Sequence, residues 1–240
     1  MAFTAVLRDH GNVLVDRLGN AYFTEGAKVR IERSLQNSFH EETDAPTHGY
    51  FEKAYIEHGS ECSSELPGCD PDYEYMVVVK ADQQQIEQYA QNKPYSVLKA
   101  DKTAHIVKDN ATGIVGCAAF QTTSVDEIIA EVSPSVMMYR AENDMLEMSV
   151  SNPDLSLYQG ESDEIFDADG KRIERSVYGR KWINNPAGET FVNIVLNGEW
   201  EISDKNTNKI SVRFENERTM INFVCFESDA MHVKLRRKSL

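Results

Sequence analysis

Long apolar runs are missing from this chain of 240 residues. The longest, such as Met76-Val-Val-Val79 and Cys117-Ala-Ala-Phe120, fall far below the roughly 18 residues that a membrane-crossing helix needs. A transmembrane helix is thereby excluded. Also missing is a basic leader with a sustained apolar segment behind it. Met1-Ala-Phe-Thr-Ala-Val-Leu-Arg8 has neither, so no signal peptide is expected at this start. Positive charge is scarce, with 25 Lys and Arg against 39 Asp and Glu and a formal net charge of −14. That balance repels nucleic acid, acidic membranes and any polyanionic polysaccharide, unless cations are concentrated locally. No repeat at a solenoid or propeller period and no low-complexity tract is found.

Cysteine is sparse too: there are four. Cys62 and Cys69 flank Ser-Ser-Glu-Leu-Pro-Gly, a turn-prone segment able to bring their ends together. A disulfide closing that loop would contribute roughly 2.5 kcal/mol in the chain-entropy model. Two reduced, unlinked thiols remain the other reading. The spacing does not suit zinc, because six intervening residues exceed the usual two to four and no second Cys or His pair completes four ligands. Cys117 and Cys225 lie in apolar runs and are expected as buried small hydrophobes. No metal or cofactor site is expected.

With 41% apolar and 27% charged residues, the chain is globular and long enough for two domains of about 100 to 150 residues. The periodicity is that of strands. Ala27–Arg33, His105–Lys108, Lys209–Phe214 and His232–Arg236 alternate apolar with polar residues, as half-buried strands do. Between strands, Asp16-Arg-Leu-Gly-Asn20, Asp109-Asn-Ala-Thr-Gly113 and Asn197-Gly198 supply residues that tolerate positive φ, and each predicts a hairpin-like turn. One helix is predicted over Asp82–Gln91, capped by Asp82 and stopped by Pro94, and its length makes it a crossover or a lid over a sheet edge. A polar break containing Pro134, within Ala130–Ser135, predicts a boundary there. The fold class expected is all-β: two antiparallel β-sandwich domains.

Two segments carry the functional signal. Gly49-Tyr-Phe-Glu-Lys-Ala-Tyr-Ile-Glu-His-Gly59 and Tyr73-Glu-Tyr-Met-Val-Val-Val79 are joined by Gly19-Asn-Ala-Tyr-Phe23 upstream, and by Ser151-Asn-Pro-Asp-Leu155 and Leu196-Asn-Gly-Glu-Trp200 downstream. Together, over about residues 5 to 225, they resemble the family-eight polysaccharide lyases, and most of all the chondroitin ABC lyase branch. The resemblance implies that residues 1–131 are the C-terminal part of the family's central β super-sandwich domain and residues 132–240 its C-terminal β-sandwich. It also implies a secreted or periplasmic protein acting on sulfated or uronic-acid-containing polysaccharide, with the family's N-terminal helical domain as partner. Such enzymes abstract the C5 proton of a uronic acid and expel the C4 substituent. The groups that do so come mostly from the helical domain, so no catalytic residue is expected in this chain. His58 reads as a structural histidine ending a strand before glycine. A two-carboxylate glycosidase has no support, since 39 acidic residues make some close pair inevitable.

The second segment runs from Tyr158 to Trp182. Its Asp167-Ala-Asp-Gly170 fails as a calcium loop, because placing Gly170 sixth puts Ile165 first and Ser176 twelfth, where carboxylates belong. A plain Asp-Gly hairpin turn is expected instead. Lys171, Arg172, Arg175, Arg180 and Lys181, interleaved with Tyr178 and Trp182, form the one internal basic concentration. Guanidinium groups pair with sulfate or carboxylate through bidentate, charge-assisted hydrogen bonds, and aromatic rings stack on sugar faces, so the mixture suits a sulfated glycan. The competing reading is a solvated hairpin whose cations offset Glu161, Asp163, Glu164 and Asp167. Three functions therefore stand side by side: the architectural β portion of a glycosaminoglycan lyase, a free-standing carbohydrate-binding module derived from one, and an adhesion or assembly module without glycan affinity.

Overall fold

Turn chemistry and strand alternation together build the architecture. The computed structural model describes residues 3–8, 11–25, 28–40, 43, 45–57, 74–154, 165–173, 188–203 and 209–238. Within these the regular structure is strand apart from one helix, and every strand pair is antiparallel. It divides into two compact units, Met1–Lys93 and Pro94–Leu240.

In the first unit, β1 (Phe3–Arg8), β2 (Gly11–Asp16) and β3 (Ala21–Glu25) form a meander. Then come a long hairpin of β4 (Lys28–Phe39) and β5 (Pro46–Glu57), β6 (Glu74–Val78), and helix α1 (Gln83–Gln91). The sheet order is β1-β2-β3-β6, and β4–β5 pair only with each other among the described residues. Helix α1 begins where the sequence predicts. The Asp82 carboxylate accepts from the Gln85 amide at 2.8 Å while the Gln85 side chain accepts from the Asp82 amide at 3.0 Å, a reciprocal capping box that satisfies two otherwise orphaned donors. Its Ile86 is buried with Val13, Ala21 and Phe23. The helix therefore packs on a sheet face and not over a sheet edge.

The second unit is a sandwich. Its strands are β7 (Tyr95–Ala100), β8 (Ala104–Asp109), β9 (Val115–Ala119), β10 (Ile129–Val132), β11 (Ser135–Glu142), β12 (Met145–Ser151), β13 (Ile165–Phe166), β14 (Arg172–Ile173), β15 (Glu189–Asn197), β16 (Trp200–Ile202), β17 (Ile210–Glu215), β18 (Arg218–Phe226) and β19 (Met231–Arg237). A seven-stranded sheet, β16-β19-β12-β11-β9-β8-β7, faces a four-stranded one, β10-β15-β18-β17. Alternate residues of the two sheets meet in one core that includes Met137, Leu146 and Leu235 from the first and Ile194, Ile221 and Phe223 from the second. This is the inward half of the period-two pattern.

Two sequence expectations shift. The polar break at Ala130–Ser135 is a turn between sheets and not the limit of a compact unit, because β8 and β9 bond into the same sheet as β11 and β12. The compact units divide instead at Lys93/Pro94. The Asn197-Gly198 turn closes no hairpin. It carries the chain from β15 in one sheet to β16 in the other, with Gly198 at φ +89°, a conformation that an L side chain resists.

Candidate functional site

The basic segment begins with a built turn. In the β13–β14 hairpin, Ile165 pairs with Ile173 and Phe166 with Arg172. The Asp167 carboxylate accepts from the Asp169 amide at 3.0 Å and the Lys171 amide at 2.9 Å, and Gly170 sits at φ +76°. This is the Asp-Gly hairpin turn expected from the sequence, with Asp167 engaged by the backbone. Lys171 is exposed and follows the turn directly. Arg172 lies on β14. Arg175, Tyr178, Arg180, Lys181 and Trp182 lie outside the described residues, as do Cys62, Cys69 and His58. Cys117 and Cys225 are buried free thiols whose pKa is pushed up by burial, as expected of small hydrophobes.

The segments that carry the resemblance do structural work. In Gly19-Asn-Ala-Tyr-Phe23, Gly19 takes φ +85° and accepts from the Ala81 amide at 2.9 Å, while the Asn20 side chain accepts from the Lys80 amide at 3.2 Å. The Tyr73–Val79 segment supplies β6, whose residues 74–78 lie in register against residues 21–25 of β3. That register opposes Glu25 to Glu74, and the Lys93 ammonium bridges both, reaching Glu74 at 2.9 Å. In Leu196–Trp200, the buried Thr219 hydroxyl donates to the Gly198 carbonyl at 2.7 Å and accepts from the Trp200 amide at 2.9 Å. The Trp200 indole donates to the Asn197 carbonyl at 2.9 Å, and the Arg237 guanidinium stacks 5.7 Å above its ring. Ser151 donates to the Ser228 carbonyl at 2.7 Å. Each motif is thus a corner or a ladder, which sequence spacing alone does not reveal.

The hub of the first motif is Asp16. Its side chain is only 6% exposed and accepts from the Leu18 amide, the Asn20 amide, the Asn20 side chain and the Tyr22 hydroxyl at 2.8 to 3.1 Å. Burial pushes its pKa up, but these four donors outweigh it and hold the carboxyl below the usual range. Hydrogen bonds that favour the charged form have that sign. The stabilisation is therefore full above the unfolded value of about 3.9 and is lost as pH falls through the depressed folded value. We expect the gap in thermal midpoint between wild type and Asp16→Asn to be widest near neutrality and to close from about pH 5 downward. A gap constant from pH 7 to 2 would show that Asp16 acts by packing alone.

Two pairings among the described residues join groups that can carry a proton. Tyr139 is buried and donates to the Asp126 carboxylate, whose other bonds come from the Ile128 and Ile129 amides. Burial and that carboxylate raise its pKa far above the usual range, the reverse of what a phenolate base needs. Ser149 and His232 are 2.7 Å apart across β12 and β19. They sit on the outer sheet face beside the Lys234–Glu147 ion pair at 3.0 Å, with no third group among the described residues to orient the ring. No group of three His, Cys, Asp or Glu able to hold a metal occurs among the described residues.

Over 233 residues, or 95% of its length, the chain is 32% identical to the chondroitin sulfate ABC exolyase of Bacteroides thetaiotaomicron, of which it covers 22%. It is 31% identical over 83% of its length to the chondroitin sulfate ABC exolyase of Proteus vulgaris, covering 20% of that protein. The chain is homologous to one segment of these lyases. It spans about a fifth of the length of the curated relatives that it matches. No family model matches it. In fold it is similar to the Streptomyces coelicolor A3 chondroitin AC lyase solved with chondroitin sulphate, at a TM-score of 0.61 and 12% identity, covering 99% of this chain and 27% of that one. It is also similar to the Paenibacillus xanthan lyase, at a TM-score of 0.62 and 14% identity, covering 99% of this chain and 21% of that one.

Proposed function

We propose that this chain is the C-terminal β portion of a family-eight glycosaminoglycan lyase, serving an enzyme that cleaves chondroitin, dermatan or hyaluronan by β-elimination. The observation that carries this reading is 32% identity over 95% of the chain to a segment of a much longer lyase. Its part is architectural. The residues that carry the likeness close turns, bridge strands and fill corners, and the described tyrosine with the strongest environment is locked as a donor. The partner is the helical lyase domain, the substrate is sulfated or uronic-acid-containing polysaccharide, and the compartment is extracellular or periplasmic. The basic segment from Lys171 to Trp182 supplies a glycan contact, which also underlies the second reading of a carbohydrate-binding module.

Elimination leaves an unsaturated uronate that absorbs in the ultraviolet, so the purified chain is expected to generate no such absorbance from chondroitin, dermatan or hyaluronan. Time-dependent absorbance that heat denaturation abolishes would place catalytic groups within this chain and overturn the architectural assignment.

A further inference from the structure

The β4–β5 hairpin is two-faced. Twelve residues pair with twelve in unbroken register, so alternate pairs present opposite sides. One side is largely polar: Lys53 meets Glu32 at 3.0 Å and the Tyr55 hydroxyl donates to Glu32 at 3.3 Å, with Phe51 the exposed apolar exception at 54%. The other carries Val29, Ile31, Leu35 and Phe39, opposite Ile56, Ala54, Tyr50 and Pro46, with the polar pair Asn37 and His48 between the last two. Arg33 meets Glu52 on this side at 4.0 Å, and its guanidinium lies 5.6 Å above the Tyr50 ring. On this apolar side Phe39 is 71% exposed, Tyr50 67% and Leu35 48%. A two-stranded hairpin alone is marginal in water, and an apolar ribbon of this length signals a covering partner.

Size selects the partner. Twelve residues at about 3.4 Å each, two strands wide, give a face about 40 Å by 10 Å, or roughly 400 Å². Two copies stacked face to face would bury about 800 Å² in total, below the roughly 1,200 Å² of a stable association between separate proteins. The same area lies within the roughly 600 to 1,500 Å² that joins domains of one chain. The matched lyases carry about four-fifths of their length outside the segment matched here. Resting on the function proposed above, we infer that the apolar face of β4–β5 is an interdomain surface, covered by an apolar sheet face from the remainder of a lyase chain.

The test places this chain in the Bacteroides thetaiotaomicron exolyase in exchange for the segment it matches, with and without Leu35→Asp/Tyr50→Ser. Both residues are exposed in the isolated chain, so its own melting should not change. In the chimaera, the pair is expected to speed tryptic release of the grafted segment by about tenfold or more, while Thr47→Asp on the polar side has no effect. A sound, active chimaera indifferent to the apolar-face pair overturns the surface and leaves the proposed function standing. A chimaera that never yields soluble, eliminating enzyme overturns both. Lower melting of the isolated variant would show the face covered by its own chain, and a dimer of the isolated chain that the variant splits would show a second copy. Either result overturns the inference.

Discussion

Truncation of Phe223 to alanine is expected to destabilise the Pro94–Leu240 unit by about 3 to 5 kcal/mol, the cost of deleting a buried aromatic ring and leaving a cavity. Phe223 is 0% exposed, at the centre of β18, between Val192 of β15 and Ile210 of β17. Inner residues of the facing sheet complete its surroundings, so little can collapse into the gap. Phe191, one strand away and 55% exposed, is the internal control. Its truncation should stay within about 0.5 kcal/mol, as surface changes do. Urea unfolding of the three proteins, compared at equal slope, measures both values. Equal losses at the two positions would mean that the assigned inward and outward faces of the β10-β15-β18-β17 sheet are wrong. A loss at Phe223 below about 1 kcal/mol would mean that the two sheets do not share a close-packed core.

Glycan affinity should be the other large effect. On the proposed reading of the basic segment, Arg175→Ala/Arg180→Ala is expected to weaken chondroitin sulfate binding by about 1.5 to 3 kcal/mol for each charged hydrogen-bonding partner removed. Stability should hardly change. The chain carries a net charge of −14, so attraction for a polyanion must be local and short-ranged. Screening over roughly 8 Å at physiological ionic strength should make the arginine contribution fall steeply with added salt, whereas stacking on Tyr178 and Trp182 should survive it. Calorimetric titration of wild type and double mutant at low and high salt separates the two contributions. Equal binding by both proteins at low salt, or none by either, would leave the segment as a solvated hairpin whose cations serve only to offset its own carboxylates.

Strand identity was legible because the driving pattern is local. The alternation in Ala27–Arg33, His105–Lys108, Lys209–Phe214 and His232–Arg236 lies within β4, β8, β17 and β19 apart from the first residue of the first and third segments, and the Asp82 cap starts α1 as expected. Cys117 and Cys225 were placed in the core by their apolar neighbours alone. The Asp167–Gly170 turn was equally readable, since the carboxylate that closes it and the glycine that permits it lie within four residues. Sequence motifs also pointed to chondroitin ABC lyases, which the chain matches, and in this chain they form turns and corners: a positive-φ glycine at 19 and at 198, and a tryptophan whose indole finds a carbonyl three residues back.

What alternation cannot state is which sheet a strand joins, since each strand presents the same two faces to any neighbour. The sequence alone determined that this chain is all-β, that its cations are local, and that it resembles part of a polysaccharide lyase. Only the tertiary structure decided that β8 and β9 extend the sheet of β11 and β12, moving the division between compact units to Lys93/Pro94, and that Asn197-Gly198 crosses between sheets. It alone showed that the signature residues are held in hydrogen-bonded corners and that the apolar side of β4–β5 faces solvent. Those outcomes depend on hydrogen bonds and burial between residues far apart in the chain, as when Ala81 bonds Gly19 and Trp200 bonds Thr219. No local pattern encodes them.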